Sequence, residues 1–364
     1  MEIYIFSFFL LVVFSCLEVA ANNRRQFIIL YSILFVFFVL QYGLRWETGT
    51  DWIPYLESFK ASSFDSFGAQ RLDAFEIGYT LLSSAVRLVT DNYSVFLLVH
   101  SIIYFLFLFA ASKELTPFPI VSLLFSYAFL YGLLGSNRQL IALVICLFSL
   151  RYVLGRQPVR FFSFVFLASL FHSSAVVFFT AFILKDVKLK WMFFLFLFSL
   201  FFGLSSYQLQ LFSAFAGAFG EGALHKVSMY LDNGLGDFSL TGIGVVRRFF
   251  LLSVFTVFYS RLARELPYYR ICFNLYVLSI VFYVLFAGSL QILVNRGSLY
   301  FNVMECFLLA DLFVLFGKKK AVWFILLSSF YAVWMFFASI QYYFTLFLPY
   351  KGLFLNSSFD RIMY

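Results

Sequence analysis

The chain has 364 residues, 63% of them hydrophobic and only 12% charged, with 57 phenylalanines and a mean hydropathy of +0.93. That composition excludes an ordinary soluble globular protein and indicates a polytopic membrane protein. The formal charge of +8 does not point to nucleic acid, because the basic residues lie singly or in twos and threes at the ends of apolar runs, as membrane topology requires.

The amino terminus, Met-Glu-Ile-Tyr, lacks the basic segment of a cleaved signal peptide, so the first apolar run is expected to stay as a membrane helix. A crossing needs roughly 20 apolar residues. By that measure spans are predicted near 3–20, 26–43, 93–112, 118–134, 138–154, 191–205, 244–260, 271–291, 297–316 and 321–348. Five of the six prolines fall outside these runs, where helix breakers belong, and Pro119 sits in the first turn of the run 118–134, where proline is tolerated. The polar stretches between spans are too short for a core of their own. The expectation is one integral membrane domain over 1–364: an all-α polytopic protein of about ten transmembrane helices, a re-entrant hairpin, and outward-facing loops at about 44–92 and 206–243. Cys16, Cys146, Cys272 and Cys306 all sit in apolar segments and form no metal or disulfide pattern.

Orientation follows from the cationic clusters. Arg24/Arg25, Arg151/Arg156/Arg160, Arg261/Arg264/Arg270 and Lys318/Lys319/Lys320 fall on one side, which is the cytoplasmic one, so both termini face outward. Residues 161–184 fit this scheme only as a hairpin or two short helices, with the turn at Phe171-His172-Ser173-Ser174. Irregular backbone at membrane depth is tolerated where it is buried in protein or lines a wet cavity, which makes His172 a site candidate. Arg45, Asp51, Glu76, Arg138, Arg247, Arg248 and Arg296 then lie on the outer side, with Asp232 and Asp237 in the second loop.

Several of these residues sit in suggestive positions. Arg138 opens a span beside Ser136 and Asn137, either of which can cap a helix whose free N–H groups favour anions. A planar guanidinium there suits phosphate, although a lone arginine also suits snorkelling to lipid headgroups. Arg296 begins a span and Tyr300 lies four residues on, so both are expected to project from one helical face, as a ligand grip or as an interface anchor. Glu76 precedes a short amphipathic segment, 77–90, with Leu81, Leu82, Ala85 and Leu88 as its apolar stripe. It reads as the dipole partner of an interfacial helix or as a carboxylate facing the outer pocket. The chain has no G-x-x-x-x-G-K-[ST], no Asp-x-Asp and no H-E-x-x-H, so a nucleotide-driven pump, a metal-held sugar nucleotide and a zinc site are all unsupported. Neither metal nor cofactor is expected.

Six elements occur in order: Arg45 with Gly49-Thr50-Asp51-Trp52-x-x-Tyr55-x-x-x-Phe59; Glu76-x-Gly78-Tyr79; Asn137-Arg138-Gln139-x-x-Ala142; His172-Ser173-Ser174-Ala175; Arg296-x-x-x-Tyr300-Phe301; and Pro349-Tyr350. Together they resemble the EpsG/Wzy type of polysaccharide polymerase, over residues 45 to 350, with 205–245 the least similar part. The resemblance implies a glycosyltransferase in the bacterial inner membrane, facing the periplasm, that joins O-antigen, capsule or exopolysaccharide repeat units carried on undecaprenyl pyrophosphate. Its partners would be the lipid-linked donor and acceptor glycans, membrane lipid, and optionally a chain-length-regulating co-polymerase. Such a reaction needs cations on the pyrophosphate, a base for the acceptor hydroxyl, and grooves for polyprenyl chains. The expected base is His172, Asp51 or Glu76, with His172 first because an unperturbed imidazole accepts protons near neutrality. Arg138 and Arg296 are expected on the pyrophosphate, then Arg45 and Arg247. Trp52 and Tyr55 offer ring faces for sugars, and Tyr79 and Tyr300 complete the expected substrate contacts. An O-antigen ligase-like transferase and a flippase or exporter of the same lipid-linked glycan are the alternatives. A transporter would be expected to show internal repeats and mid-membrane polar groups, whereas these arginines cluster at one face.

Overall fold

A computed structural model describes residues 1–20, 23–64, 75–203, 207, 242–286 and 293–361. Over these residues the secondary structure is helical, and the β-type pairing is one isolated antiparallel bridge between Arg45 and Gly352. In chain order the helices are α1 (Glu2–Ala20), α2 (Arg24–Gly43), α3 (Trp52–Ala61), α4 (Ile77–Arg87), α5 (Tyr93–Leu115), α6 (Pro119–Leu130), α7 (Asn137–Leu154) and α8 (Pro158–Phe171). There follow α9 (Thr180–Leu184), α10 (Leu189–Gly203), α11 (Gly242–Val257), α12 (Tyr259–Glu265), α13 (Tyr269–Phe286), α14 (Leu299–Asn302), α15 (Met304–Asp311), α16 (Lys318–Ile340) and α17 (Phe344–Phe347). Internal packing divides the chain into two units, Met1–Val176 with Leu309–Tyr364, and Val177–Leu308.

In the first unit α7 is the central helix, packed between α5 and α8, while α1 and α16 pack on α6 and α2 on α5. The helix starts are chemically specified. Asn23 caps α2 by accepting from the N–H groups of Arg25 and Gln26 at 3.0 and 3.3 Å, and Asn92 caps α5 through Ser94 N–H at 2.9 Å. Pro119 opens α6, and the Glu18 carboxylate of α1 takes the N–H groups of Ile120 and Val121 at 2.9 and 3.0 Å, so one helix caps another. The outer helices expose large apolar residues and include small or polar ones among those they bury. On α1, Ser7 and Ser15 are buried while Ile5, Phe6 and Phe9 are exposed; on α16, Trp323, Leu327 and Phe330 are exposed. That pattern suits a hydrocarbon solvent, in which large apolar side chains can face outward and helices associate through close packing that includes small residues. α4 follows it too: Ser83, Ser84 and Gly78 face inward, and the stripe of Leu81, Ala85 and Leu88 faces out.

The count of spans differs from the sequence expectation of about ten. Among the described residues six helices are long and apolar enough to cross a membrane, or seven if the pair α11 and α12, bent by 63°, counts as one span. The shortfall is one of length. Residues 119–133, 158–171, 173–184 and 189–203 form apolar helices of 10–17 residues, and at about 1.5 Å per residue these fall short of a hydrocarbon core about 30 Å thick. The expected span at 297–316 is broken into α14, α15 and a 3-10 turn, Leu312–Leu315. The protein is thus an all-helical, multi-pass membrane protein with several apolar helices of less than spanning length.

The helix break foreseen around His172 is present: α8 ends at Phe171, His172 is extended with φ −154° and ψ 119°, and a 3-10 helix runs from Ser173 to Phe179. In the second unit α10 packs on α13, and α13 on α9 and α14. The Asn274 side chain there holds the carbonyls of Leu184 and Val187 at 2.7 and 2.9 Å.

Candidate functional site

Three segments of the first unit are knitted together at one end of its helices. The turn after α2 meets the carboxyl-terminal segment: Trp46 N–H donates to Lys351 O at 2.9 Å, Thr48 Oγ1 to the same carbonyl at 2.9 Å, and the Lys351 ammonium pairs with Glu47 at 2.6 Å. The same turn meets the loop before α7, where Thr50 N–H donates to Leu134 O at 2.9 Å. Gly49 and Gly135 make that approach possible. Both have positive φ, +108° and +112°, and an added Cβ would lie 2.2 Å from Leu134 O in one case and 2.0 Å from Thr50 O in the other.

Arg45 is buried beneath this knot, 1% exposed. Its guanidinium donates to Tyr42 O at 2.7 Å and to Asn137 Oδ1 at 2.8 Å, and among the described residues no carboxylate pairs with it. Burial lowers its pKa, partly offset by the surrounding phenols of Tyr93, Tyr350, Tyr131 and Tyr79, though an arginine stays charged. Asn137 is also fixed from behind, because His100 Nε2 donates to its carbonyl at 2.9 Å.

One residue further on, at the start of α7, Arg138 faces a more open space. Its Nε donates to Tyr55 Oη at 3.1 Å, its Cζ lies 4.0 Å from the ring centre of Phe75, and its Nη1 pairs with Glu76 Oε2. The side chains of Arg138 and Glu76 are each 22% exposed. Glu76 precedes α4 without capping it; instead its Oε1 accepts Ser173 N–H at 3.2 Å, at the break after α8. Gly78 allows this, for α4 approaches so closely there that a Cβ would meet Leu170 O at 2.8 Å. Burial pushes the Glu76 carboxyl up, but Arg138, backbone N–H groups including that of Ser173, and the charge of His172 together hold it below the usual carboxylate range. Half-buried His172 has its Nδ1 2.6 Å from Ser174 Oγ and 3.4 Å from Ser174 N, contacts that fix the ring's orientation.

The structure therefore brings Glu76, Arg138, His172 and Tyr55 into one cluster. Asp51 lies near it, exposed, in the left-handed conformation with φ 51°, and its side chain caps nothing on α3. The other aromatic candidates are packed away. Trp52 is covered by Trp46 and Tyr93, and Tyr55 by Phe75 and Tyr79, while Tyr79 is wholly buried, so no ring face of Trp52 or Tyr55 stands open to a sugar in this form.

In the second unit, Arg247 pairs with the fully buried Glu305 at 2.5 Å, and Arg248 lies 3.9 Å from the ring centre of Tyr283. Arg296 and Tyr300 are not presented on one face. Arg296 is exposed in a π-helical turn, Leu293–Gly297, which ends before α14, and Tyr300 inside α14 is fully buried. Asp232 and Asp237 lie outside the described residues. Glu305, His100 and Phe75 were not singled out by sequence reasoning; a glutamate and a histidine inside apolar runs were signals that could have found the first two.

The cluster has the parts for anion chemistry beside a proton acceptor: a guanidinium held on two sides by uncharged groups, a carboxylate, and an oriented imidazole. No curated protein and no solved structure matches the chain. The model of the EpsG family matches residues 28–352, nearly the whole chain and every residue of the cluster, and the chain belongs to that family, the polysaccharide polymerase-like EpsG/Wzy type.

Proposed function

We propose that the protein joins oligosaccharide repeat units carried on undecaprenyl pyrophosphate, by glycosyl transfer at the periplasmic face of the bacterial inner membrane. Family membership supports a polysaccharide polymerase-like role. The observation that carries the specific reading is the Arg138–Glu76–His172 cluster at the outward end of α7, as judged by the basic clusters on the opposite side. Arg138 would hold the donor pyrophosphate, and His172 would take the proton of the acceptor hydroxyl. The lipid pyrophosphate is itself the activated leaving group, so this route needs no nucleotide. Asp51 would orient the acceptor sugar through hydrogen bonds from its hydroxyls. The direct experiment supplies purified protein with a synthetic lipid-linked repeat unit and resolves products on a gel. A ladder of lengths is expected. A single transfer to a lipid A core acceptor would point to a ligase, and movement of the lipid across vesicles without new bonds to a flippase.

A further inference from the structure

The Glu76 carboxylate stands between the Arg138 guanidinium and the turn that carries His172. Oε2 pairs with Arg138, and Oε1 rests on the N–H of Ser173, the residue directly after His172. Arg138 is otherwise held by partners without charge, Tyr55 Oη at 3.1 Å and the Phe75 ring at 4.0 Å. An incoming phosphate can therefore take the place of one ligand, Glu76, while the guanidinium keeps its anchors. Both side chains are 22% exposed, so the exchange needs no unfolding. A pyrophosphate brings more charge and more acceptor oxygens than one carboxylate, which favours the exchange on the fork of an arginine.

We propose that Glu76 is a switching counter-ion, paired with Arg138 while the site is empty and with the imidazolium of His172 once a pyrophosphate has taken the guanidinium. This rests on the reading of the cluster as a pyrophosphate site. In the transfer step the bond between the donor's anomeric carbon and the pyrophosphate oxygen breaks, and its electron pair leaves on the pyrophosphate, where Arg138 meets the charge. The acceptor oxygen forms the new bond to that carbon, and its proton passes to His172. The displaced carboxylate then faces the imidazolium and stabilises it. Glu76 is thus a positioning residue: it strengthens the base only when the leaving group is seated, which discourages proton abstraction, and loss of the donor to water, in a half-filled site.

The test titrates full-length protein in nanodiscs with inorganic pyrophosphate by calorimetry, and measures polymerisation on the same preparations, for wild type, Glu76→Gln, Glu76→Asp and Arg138→Gln. Glu76→Gln is expected to bind pyrophosphate about tenfold more tightly while polymerising at least about tenfold more slowly. A residue with a merely structural role would not raise affinity. Glu76→Asp, which keeps the charge on a shorter arm, should fall between and serves if the glutamine variant does not fold; Arg138→Gln should not bind. If wild type binds and removing the carboxylate leaves affinity unchanged or weaker, the switch is overturned while the pyrophosphate reading survives. If wild type does not bind either, both fall.

Discussion

Arg45 Nη2 donates to Asn137 Oδ1 at 2.8 Å in the interior, with Arg45 1% and Asn137 1% exposed, so the two motifs that flank the site share a buried hydrogen bond. A buried cation without a carboxylate depends on its neutral partners, here the Tyr42 carbonyl and the Asn137 amide. Asn137→Ala would leave one arm of the guanidinium unsatisfied, at a cost of roughly 1–3 kcal/mol or more. Arg45 accordingly reads as a residue that holds the site's scaffold. Thermal melts in detergent should show both Asn137→Ala and Arg45→Ala destabilised. An Arg45→Ala protein that is as stable as wild type but no longer polymerises would return Arg45 to the substrate contacts.

Gly49 and Gly135 interlock two loops, and neither position accepts a side chain. The positive φ alone costs an alanine roughly 1–3 kcal/mol. The clash is with backbone carbonyls, which cannot rotate away as a side chain could. Gly49→Ala and Gly135→Ala are expected to lower the amount of folded protein in the membrane, read by fluorescence size-exclusion of a tagged chain. Normal yield from both would show that the loops separate without harm.

Much of this architecture is legible in sequence because local signals carry it. The apolar runs placed α1, α2, α5 and α7 close to their observed limits, and Phe171–Ser174 marked the break after α8, but the cap expected of Ser136 or Asn137 is not made: Ser136 forms no side-chain cap and Asn137 Oδ1 accepts from Arg45 instead. The number of crossings was not legible, since hydropathy reports apolarity and not helix continuity; 297–316 reads as one run yet breaks before Leu299 and again around Val303. That break also undoes the shared face assumed for Arg296 and Tyr300, which requires an unbroken helix. Glu76 and Arg138 were each visible as candidates, but 62 residues separate them, and only the folded chain pairs them.

Arg138→Lys tests whether recognition at the cluster depends on a planar fork. A lysine keeps the charge but cannot serve Tyr55, Glu76 and a phosphate together from one plane. Loss of one or two charge-assisted bonds, at about 1.5–3 kcal/mol each, corresponds to a fall in kcat/KM of roughly ten- to a hundredfold or more. Full-length polymer made at the normal rate by Arg138→Lys would remove Arg138 from direct contact with the donor.

The depressed pKa of Glu76 fixes how the ion pair contributes to stability as pH changes. A carboxyl held lower in the folded than in the unfolded protein contributes stability that is fully present above the unfolded value, about 4.3, and is lost as pH falls through the lower folded value. Glu76→Gln should therefore melt below wild type at pH 7, and the gap should close only as pH drops below about 4.3. A gap that persists unchanged at pH 3 would assign it to packing and not to the charge.

The base is the remaining question, and the two exposed-side candidates can be separated because their variants are structurally mild. Asp51 caps nothing and sits at φ 51°, a conformation that asparagine tolerates as well as aspartate, so Asp51→Asn removes the charge and little else. His172 is half-buried at a helix end, with Ser174 on its Nδ1, so His172→Ala also frees a local contact and needs a check of abundance in the membrane. With normal abundance, His172→Ala is expected to lose roughly 10²–10⁴-fold in polymerisation, the usual contribution of a general base, while Asp51→Asn loses less and chiefly through KM. The opposite result, polymer from His172→Ala and none from Asp51→Asn, would move proton abstraction to the carboxylate and leave His172 as the residue that ends α8 and presents Ser173 N–H to Glu76.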